Sequence, residues 1–324
     1  MNKFFNYFFI IVINYILITL VVFTFSYVSL INNKTYDIFW VKYIQKKLYF
    51  NGLRKLWNAD KNCSRFDQEL LYAPLEGQCE FLNPEFKTKL NFDNNRRLNM
   101  INDQIYEDEK IIAVLGDSYA MGWGVNDDET FSYKLQKLIN KKVINLGVAS
   151  YGTIREIKRL KLNKFYDQVD TVIIQYHLND IYENKTLDIK KTYLISDYDK
   201  YFSLNNDKLN ITYFLIKHIK KSFRLLFSHL SDIIFKTKEK HNLSEHFDNL
   251  EKIIINNFPD QKKKIIVFLV KEPHQELIYN KKRIFSNFEF FLIDADKEHF
   301  FIIDDHLNFK GHEFVAKKIF EQIK

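Results

Sequence analysis

The stretch Ile111-Ile112-Ala113-Val114-Leu115-Gly116-Asp117-Ser118-Tyr119-Ala120-Met121-Gly122-Trp123-Gly124 decides the reading of this chain. An apolar run rich in β-branched residues predicts a strand buried on both faces, and Gly116-Asp117-Ser118 ends it in an abrupt turn. Ser118 therefore stands at the exit of a central strand. In open α/β sheets ligands bind outside the carboxyl ends of the strands, so a serine at this point can meet a substrate. Serine is also a preferred helix N-cap and Gly-Asp-Ser is good turn chemistry, so the tripeptide alone assigns no role.

Outward from this stretch, strand and helix patterns alternate. Asp127-Asp128-Glu129 opens a helical segment to Asn140, with Phe131, Leu135 and Leu138 at helical spacing and acidic residues suited to the helix dipole. Val143–Gly147 reads as a second strand, followed by the turn Ala149-Ser150-Tyr151-Gly152-Thr153 and a lysine-studded helix to about Tyr166. Thr171–Tyr176 is the third strand and runs into His177-Leu178-Asn179-Asp180. After residues 181–245, an interruption, a helix from about Leu243 leads to strand Lys264–Val270. A helical segment after Glu272-Pro273, a short strand near Phe288–Ile293 and a terminal helix from about Lys310 complete the chain. The order predicts a three-layer α/β/α sandwich, flavodoxin-like, around a mostly parallel five-stranded sheet. Ser118, Ser150 and Asn179 then lie along one carboxyl edge.

Within the interruption, Ile211–Lys236 carries Leu215, Ile219, Phe223, Leu226, Leu230 and Ile233 on one stripe, with Lys217, Lys220, Lys221 and Arg224 beside it. That pattern fits a helix packed on the core or capping the site, or one lying on a membrane surface.

At the other end, residues 4–31 are uncharged and dominated by Phe, Ile, Leu, Val and Tyr. This exceeds the roughly 20 residues that span a bilayer, and it lacks the short core and small-residue cleavage site of a signal peptide. An uncleaved single-pass anchor over residues 1–34 is expected. Lys34, Lys42, Lys46 and Lys47 follow the span and only Lys3 precedes it, which by charge count alone turns the C-terminal part to the cytoplasm. Cys63 and Cys79 argue the other way: a lone pair bracketing the loop-like stretch Ser64–Gln78 fits a disulfide in an oxidising compartment. Two buried free thiols are the alternative. The expectation is a catalytic portion in the periplasm or outside the cell. Residues 35–105 then form a linker and disulfide-bearing extension, in which Phe86, Thr88, Leu90 and Phe92 alternate as a half-exposed strand or hairpin.

The 324 residues suffice for one large domain with additions, and 46% hydrophobic content supplies a core. The formal charge is +7, but lysine and asparagine are abundant throughout and no compact basic module stands out, so no nucleic-acid partner is expected. There is no His-Glu-x-x-His, no Cys-x-x-Cys and no phosphate-cradling glycine loop, and the chemistry expected needs neither metal nor cofactor.

A serine nucleophile needs a base, a group that orients the base, and oxyanion donors. His306 follows an apolar segment, precedes a helix and has carboxylates immediately upstream. The set Gly116-Asp117-Ser118, Asn145-Leu146-Gly147, Asn179-Asp180 and Asp304-Asp305-His306-Leu307-Asn308 with Gly311-His312 resembles the SGNH/GDSL hydrolase superfamily. The blocks run in that family's order over residues 111–324. Pro74–Gly77 through Asn83–Phe86 is similar to the leader of its membrane-anchored members.

The resemblance implies Ser118 as nucleophile, His306 as base and then acid, and Asp304 as the orienter of His306. It implies the Ser118 N–H and the Asn179 side-chain amide as oxyanion donors. Asp117, Gly147, Gly152, His177 and Asp305 are expected around the pocket, and His312 is the family's trailing, non-catalytic histidine. Three positions depart from the pattern. Ile303 stands where the family often has its Asp, leaving Asp304, Asp305 or a Ser–His dyad. The second-block glycine falls on Ser150, or on Gly152 if the gap slides, and either supplies an N–H. His177 replaces a glycine two residues before Asn179, and it reads as lining the pocket rather than as a second base. The implied activity is cleavage of an O-acyl ester, O-acetyl above all, on a cell-envelope glycan through an acyl-enzyme, within residues 106–324. Transfer to a sugar hydroxyl, or glycan binding without catalysis, are the alternatives.

Overall fold

The computed structural model describes residues 2–100, 104–106, 109–206 and 239–324. The amphipathic stripe at 211–236 lies outside the described residues. From the N-terminus the elements are α1 (Asn2–Ile31), α2 (Phe39–Leu48), β1 (Ser64–Asp67), β2 (Leu71–Pro74), β3 (Gly77–Asn83), β4 (Phe86–Asp93), β5 (Arg96–Arg97) and β6 (Ile111–Gly116). Then follow α3 (Ser118–Met121), α4 (Phe131–Ile139), β7 (Lys142–Asn145), α5 (Thr153–Leu162), β8 (Val169–Tyr176), α6 (Asp180–Thr186) and α7 (Ile195–Asn206). Beyond residue 238 come β9 (Glu239–Asn242), α8 (Ser244–Asn257), β10 (Lys264–Lys271), β11 (Gln275–Ile278), β12 (Glu289–Asp294) and α9 (Phe309–Ile323).

Every residue of β6 is buried, and successive side chains face opposite layers. Ile111, Ala113 and Leu115 join a core with Ile154, Ile157 and Leu160 of α5 and Leu250, Ile253 and Ile254 of α8. Ile112 and Val114 join Phe131 and Leu135 of α4 and Val315, Ala316 and Ile319 of α9. The period-2 alternation of one strand thus builds two cores, with helices covering both faces of the sheet. Helix starts follow local chemistry: the Thr130 side chain accepts the Tyr133 N–H at 3.2 Å before α4. Asn308 caps α9 by accepting from Lys310 and Gly311.

Among the described residues the main sheet has eight strands rather than the five expected, in the order β12-β10-β8-β6-β7-β5-β4-β3. The segment β12 to β7 is parallel, whereas β5, β4 and β3 add on antiparallel. The difference lies in the alternating segment Phe86–Phe92, whose hairpin pairs onto the sheet through the short β5, with Arg97 opposite Asn145. Three further expectations change. Ser64–Gln78 is not loop-like: Ser64–Asp67 and Leu71–Pro74 form an antiparallel hairpin. The segment after Pro273 is not helical, because Gln275–Ile278 pairs in parallel with Glu239–Asn242. The helix after Gly152 also stops at Leu162, short of Tyr166.

Phe5–Ile31 of α1 is long and apolar enough to cross a membrane, and its flank is largely exposed. Its C-terminal end is not: Ser26, Ser29 and Leu30 are buried. Cys63 and Cys79 are joined in a disulfide with Cα atoms 5.2 Å apart, inside a cluster with Trp57, Tyr72, Phe81 and Phe92.

Candidate active site

Ser118 begins α3 directly beyond β6, with Asp117 as the N-cap whose carboxylate accepts the Tyr119 N–H at 2.9 Å. The Arg97 guanidinium donates to the carbonyls of Met121, Gly122 and Val125 at 2.6–2.7 Å and to Asp127 at 2.8 Å, which fixes the chain leaving the serine. Asn145, at the end of β7, donates to Ala120 O at 2.8 Å and accepts the Gly147 N–H at 2.9 Å. A Cβ on Gly147 would run into the backbone of Ala120 and Met121, so the second block packs on the first only because residue 147 has no side chain.

The sequence separates His306 from Ser118 by 188 positions, yet His306 Nε2 lies 2.7 Å from Ser118 Oγ. His306 Nδ1 lies 2.5 Å from Asp304 Oδ1, and the His306 backbone N–H reaches the same oxygen at 3.1 Å. The other oxygen, Oδ2, accepts from the Tyr49 hydroxyl and from Trp123 Nε1 at 3.2 Å. Asp305 Oδ1 is farther from Nδ1, at 3.1 Å, and its side chain is 40% exposed where that of Asp304 is fully buried. Of the two carboxylates, Asp304 is the one enclosed against the imidazole.

Burial works against a charged imidazole, but Asp304 and Asp305 outweigh it and push His306 up to about 9. Burial likewise opposes ionisation of Asp305, and His306 with Arg54 holds that carboxyl well below the usual carboxylate range. Glu85, at the turn between β3 and β4, accepts the backbone N–H groups of Ile303 and Asp304 at 3.0 Å, and that of Ile302. Burial raises Glu85 to about 6 in spite of those bonds. His312 lies apart from the serine. Its Nδ1 accepts the Phe131 N–H at 3.1 Å, and burial pulls it down to about 3, so it braces α4 against α9 as a neutral ring.

Gly116 pairs with Gln175, and the Val148 N–H donates to Gly116 O at 3.0 Å, so the chains leaving β6, β7 and β8 run side by side at the carboxyl edge. Ser150 has φ +64°, a left-handed conformation that favours glycine, and its carbonyl accepts from Arg155 at 3.0 Å. Gly152 has ordinary extended backbone as the N-cap of α5. Asn179 is exposed before α6, and its Oδ1 lies 2.8 Å from His177 Nδ1. Burial would lower His177, but Glu272 and the neighbouring carboxyls push it up to about 10. His177 Nδ1 also lies 3.4 Å from the Asn179 backbone N–H, which it accepts when unprotonated, whereas a protonated Nδ1 donates to the Asn179 side-chain oxygen and leaves the amide NH₂ to point elsewhere. The Tyr119 ring stands between the two histidines, 5.4 Å from His177 and 5.2 Å from His306.

Sequence reasoning names Ser118, Asp304 and His306 but gives no role to Glu85 and Trp123, although both lie in stretches it singles out, and misses Tyr49, Arg54 and Arg97, which no motif or period marks. Among the described residues, Asp304, Asp305 and His306 group their ligand atoms within 4.8 Å. A cation does not fit this group, because the Arg54 guanidinium already stands 3.4 Å from Asp305 and the Asp304 oxygens are filled by donors. The arrangement instead suits removal of the Ser118 proton by Nε2 while Nδ1–H is held by a carboxylate.

No family model matches the chain, and no curated protein matches it. Among solved structures it is similar to a mutant of the esterase AlinE4, with 16% identity over 51% of this chain and a TM-score of 0.27. The chain spans 60% of that structure's length. It is also similar to a carbohydrate esterase whose active site is described as having divergent catalytic and non-catalytic binding functions. There the identity is 9%, the coverage 80% of this chain and 85% of that one, and the TM-score 0.38.

Proposed function

We propose that this chain is a membrane-anchored serine esterase of SGNH/GDSL type that cleaves an O-acyl ester, O-acetyl above all, on a cell-envelope glycan. One observation carries the reading: the run from Ser118 Oγ to His306 Nε2 at 2.7 Å and from His306 Nδ1 to Asp304 Oδ1 at 2.5 Å. Ser118 Oγ attacks the ester carbonyl carbon as its proton passes to Nε2. Asp304 holds the ring with Nδ1 protonated and offsets the imidazolium that forms. The Ser118 N–H, the Asn179 side-chain amide and the Ser150 N–H serve as oxyanion donors. When the tetrahedral intermediate collapses, the ester C–O bond breaks, the leaving sugar oxygen takes the proton from Nε2, and acyl-Ser118 remains. Water then gives a proton to His306 Nε2 as it attacks the acyl carbon, and on collapse the bond from that carbon to Ser118 Oγ breaks, Oγ takes the proton back from Nε2, and the acid leaves. A sugar hydroxyl in the place of water makes the same centre an O-acyltransferase.

In this reading Phe5–Ile31 is a single-pass anchor, residues 106–324 are the catalytic domain, and residues 35–105 are its disulfide-bearing extension. The Cys63–Cys79 disulfide supports a periplasmic or extracellular catalytic portion. The test is labelling of the full chain in detergent with a fluorophosphonate serine probe, comparing the parent with Ser118→Ala and His306→Ala. Loss in both variants is expected. A folded parent that takes no label, but retains acetylated glycan on a column, would replace catalysis by glycan binding.

A further inference from the structure

The chain leaving the apolar helix turns straight into the Ser118 centre. The turn after α1 is clamped by buried Gln45, whose Nε2 donates to Lys34 O at 3.0 Å and whose Oε1 accepts the Tyr36 N–H at 3.0 Å. Leu30 of α1, Leu48 of α2, Tyr49 and Ile303 pack in one buried cluster, and Ile303 is the chain neighbour of Asp304. A five-residue π-turn, Tyr49–Leu53, then brings Arg54 round to the same loop. Tyr49 donates its hydroxyl to Asp304. Arg54 Nη2 lies 3.3 Å from His306 Nδ1 and 3.4 Å from Asp305 Oδ1, and Arg54 Nε lies 3.8 Å from Asp304 Oδ2. The guanidinium also sits 4.9 Å from the centre of the Trp123 ring, which itself stacks on His306 at 4.9 Å.

We propose that Tyr49 and Arg54 are positioning residues of the Ser118 centre: Tyr49 holds the outer oxygen of Asp304, and Arg54 sets the charge against which His306 works. The inference rests on the esterase reading and makes the anchor-proximal strap a working part of the site rather than a tether. His306 faces Asp304 and Asp305 from its own loop, Tyr49 and Arg54 from the strap, and Glu85 from the hairpin behind. The Tyr119 ring lies 5.2 Å from it, with the hydroxyl donating to Asp305 O, and His312 is the neutral ring that feels its charge from farther off. Two carboxylates against one imidazole favour the protonated ring, which cannot take the serine proton. Arg54, only 20% exposed and so weakly screened, opposes both carboxylates and favours the neutral ring.

The experiment follows the rate of fluorophosphonate labelling against pH for the full chain in detergent micelles, with thermal melts to show that each variant is folded. Removing the positive charge in Arg54→Gln is expected to move the acidic limb upward by about one pH unit, roughly a tenfold slower reaction at pH 7, and Arg54→Lys to move it most of the way back. Tyr49→Phe should slow labelling about tenfold at every pH, with the limb in place. An Arg54→Gln profile that coincides with the parent, or is lowered evenly without moving, overturns the proposal. A titration of ¹³C-labelled histidine, with the His306 resonance identified by its loss in His306→Gln, separates the two readings. If the parent takes no label, the esterase reading fails, and an upward shift of His306 in Arg54→Gln still supports the role of Arg54. An unmoved His306 resonance defeats it.

Discussion

The carboxylate of Glu85, at the tip of the β3–β4 hairpin, accepts the backbone N–H of Asp304 at 3.0 Å, so a side chain from the antiparallel end of the sheet holds the loop that carries His306. Burial raises Glu85 from 4.5 to about 6. Between those values the folded state binds the proton more tightly than the unfolded chain does. Its contribution to stability is therefore complete below about pH 4.5 and declines as pH rises through about 6, a difference on the order of 2 kcal/mol. Glu85→Gln has no charge to lose and should gain on the parent in thermal melts as pH rises from 5 to 7.5. A gap that stays level would show that the three N–H bonds offset burial in full. In the same variant the loosened loop should slow serine labelling severalfold.

Asp304 and Asp305 both reach His306 Nδ1, at 2.5 Å and 3.1 Å, but only Asp304 is fully enclosed. Asp304→Asn should cut labelling by about 10³ or more, because an amide offers Nδ1 no anion and permits the wrong tautomer. Asp305→Asn should cost less than about tenfold at high pH and shift the acidic limb downward, since one of the two carboxylates raising His306 is gone. Equal losses in the two variants would mean that the carboxylates act as a shared pair.

His177 touches Asn179 rather than the serine. His177→Ala should lower kcat about tenfold on a soluble acetyl ester with KM little changed, because it frees the amide that His177 holds. His177→Gln keeps a donor at that position and should recover most of the rate. Retention of full activity by His177→Ala would remove Asn179 orientation from its duties.

The central sheet is legible in the sequence because strands buried on both faces write continuous apolar runs, as in Ile111–Leu115 and Ile265–Val270. Ser118 is marked by its place at the exit of an apolar strand, whereas His306, in the loop between β12 and α9, is marked only by the carboxylates before it and the helix after it. The hairpin's membership in the sheet is not, since alternation in Phe86–Phe92 reads the same whether its edge pairs or stays free. A four-residue strand such as Gln275–Ile278 is too short for periodicity to tell from a helical turn. Tyr49 lies 255 positions from Asp304 and Arg54 lies 251 from Asp305, and nothing local records such contacts. They become visible only when the strap is packed against the loop.

The disulfide closes 16 residues of chain around β1 and β2, and its sulfurs sit in the aromatic cluster that also receives Met121 and Trp123 from beyond Ser118. Closing a loop of that length restricts the unfolded chain by about 3 kcal/mol. Cys63→Ala with Cys79→Ala should therefore lower stability by about that amount. Because Trp123 donates to Asp304 and stacks on His306, the loss reaches the site as well as the extension. Labelling by the fluorophosphonate probe should fall more steeply with temperature in the double variant than in the parent, and a reductant should reproduce the effect in the parent. Melting unchanged by either treatment would mean that the buried aromatics alone, Trp57, Phe81 and Phe92 among them, hold the β1–β2 hairpin to the sheet.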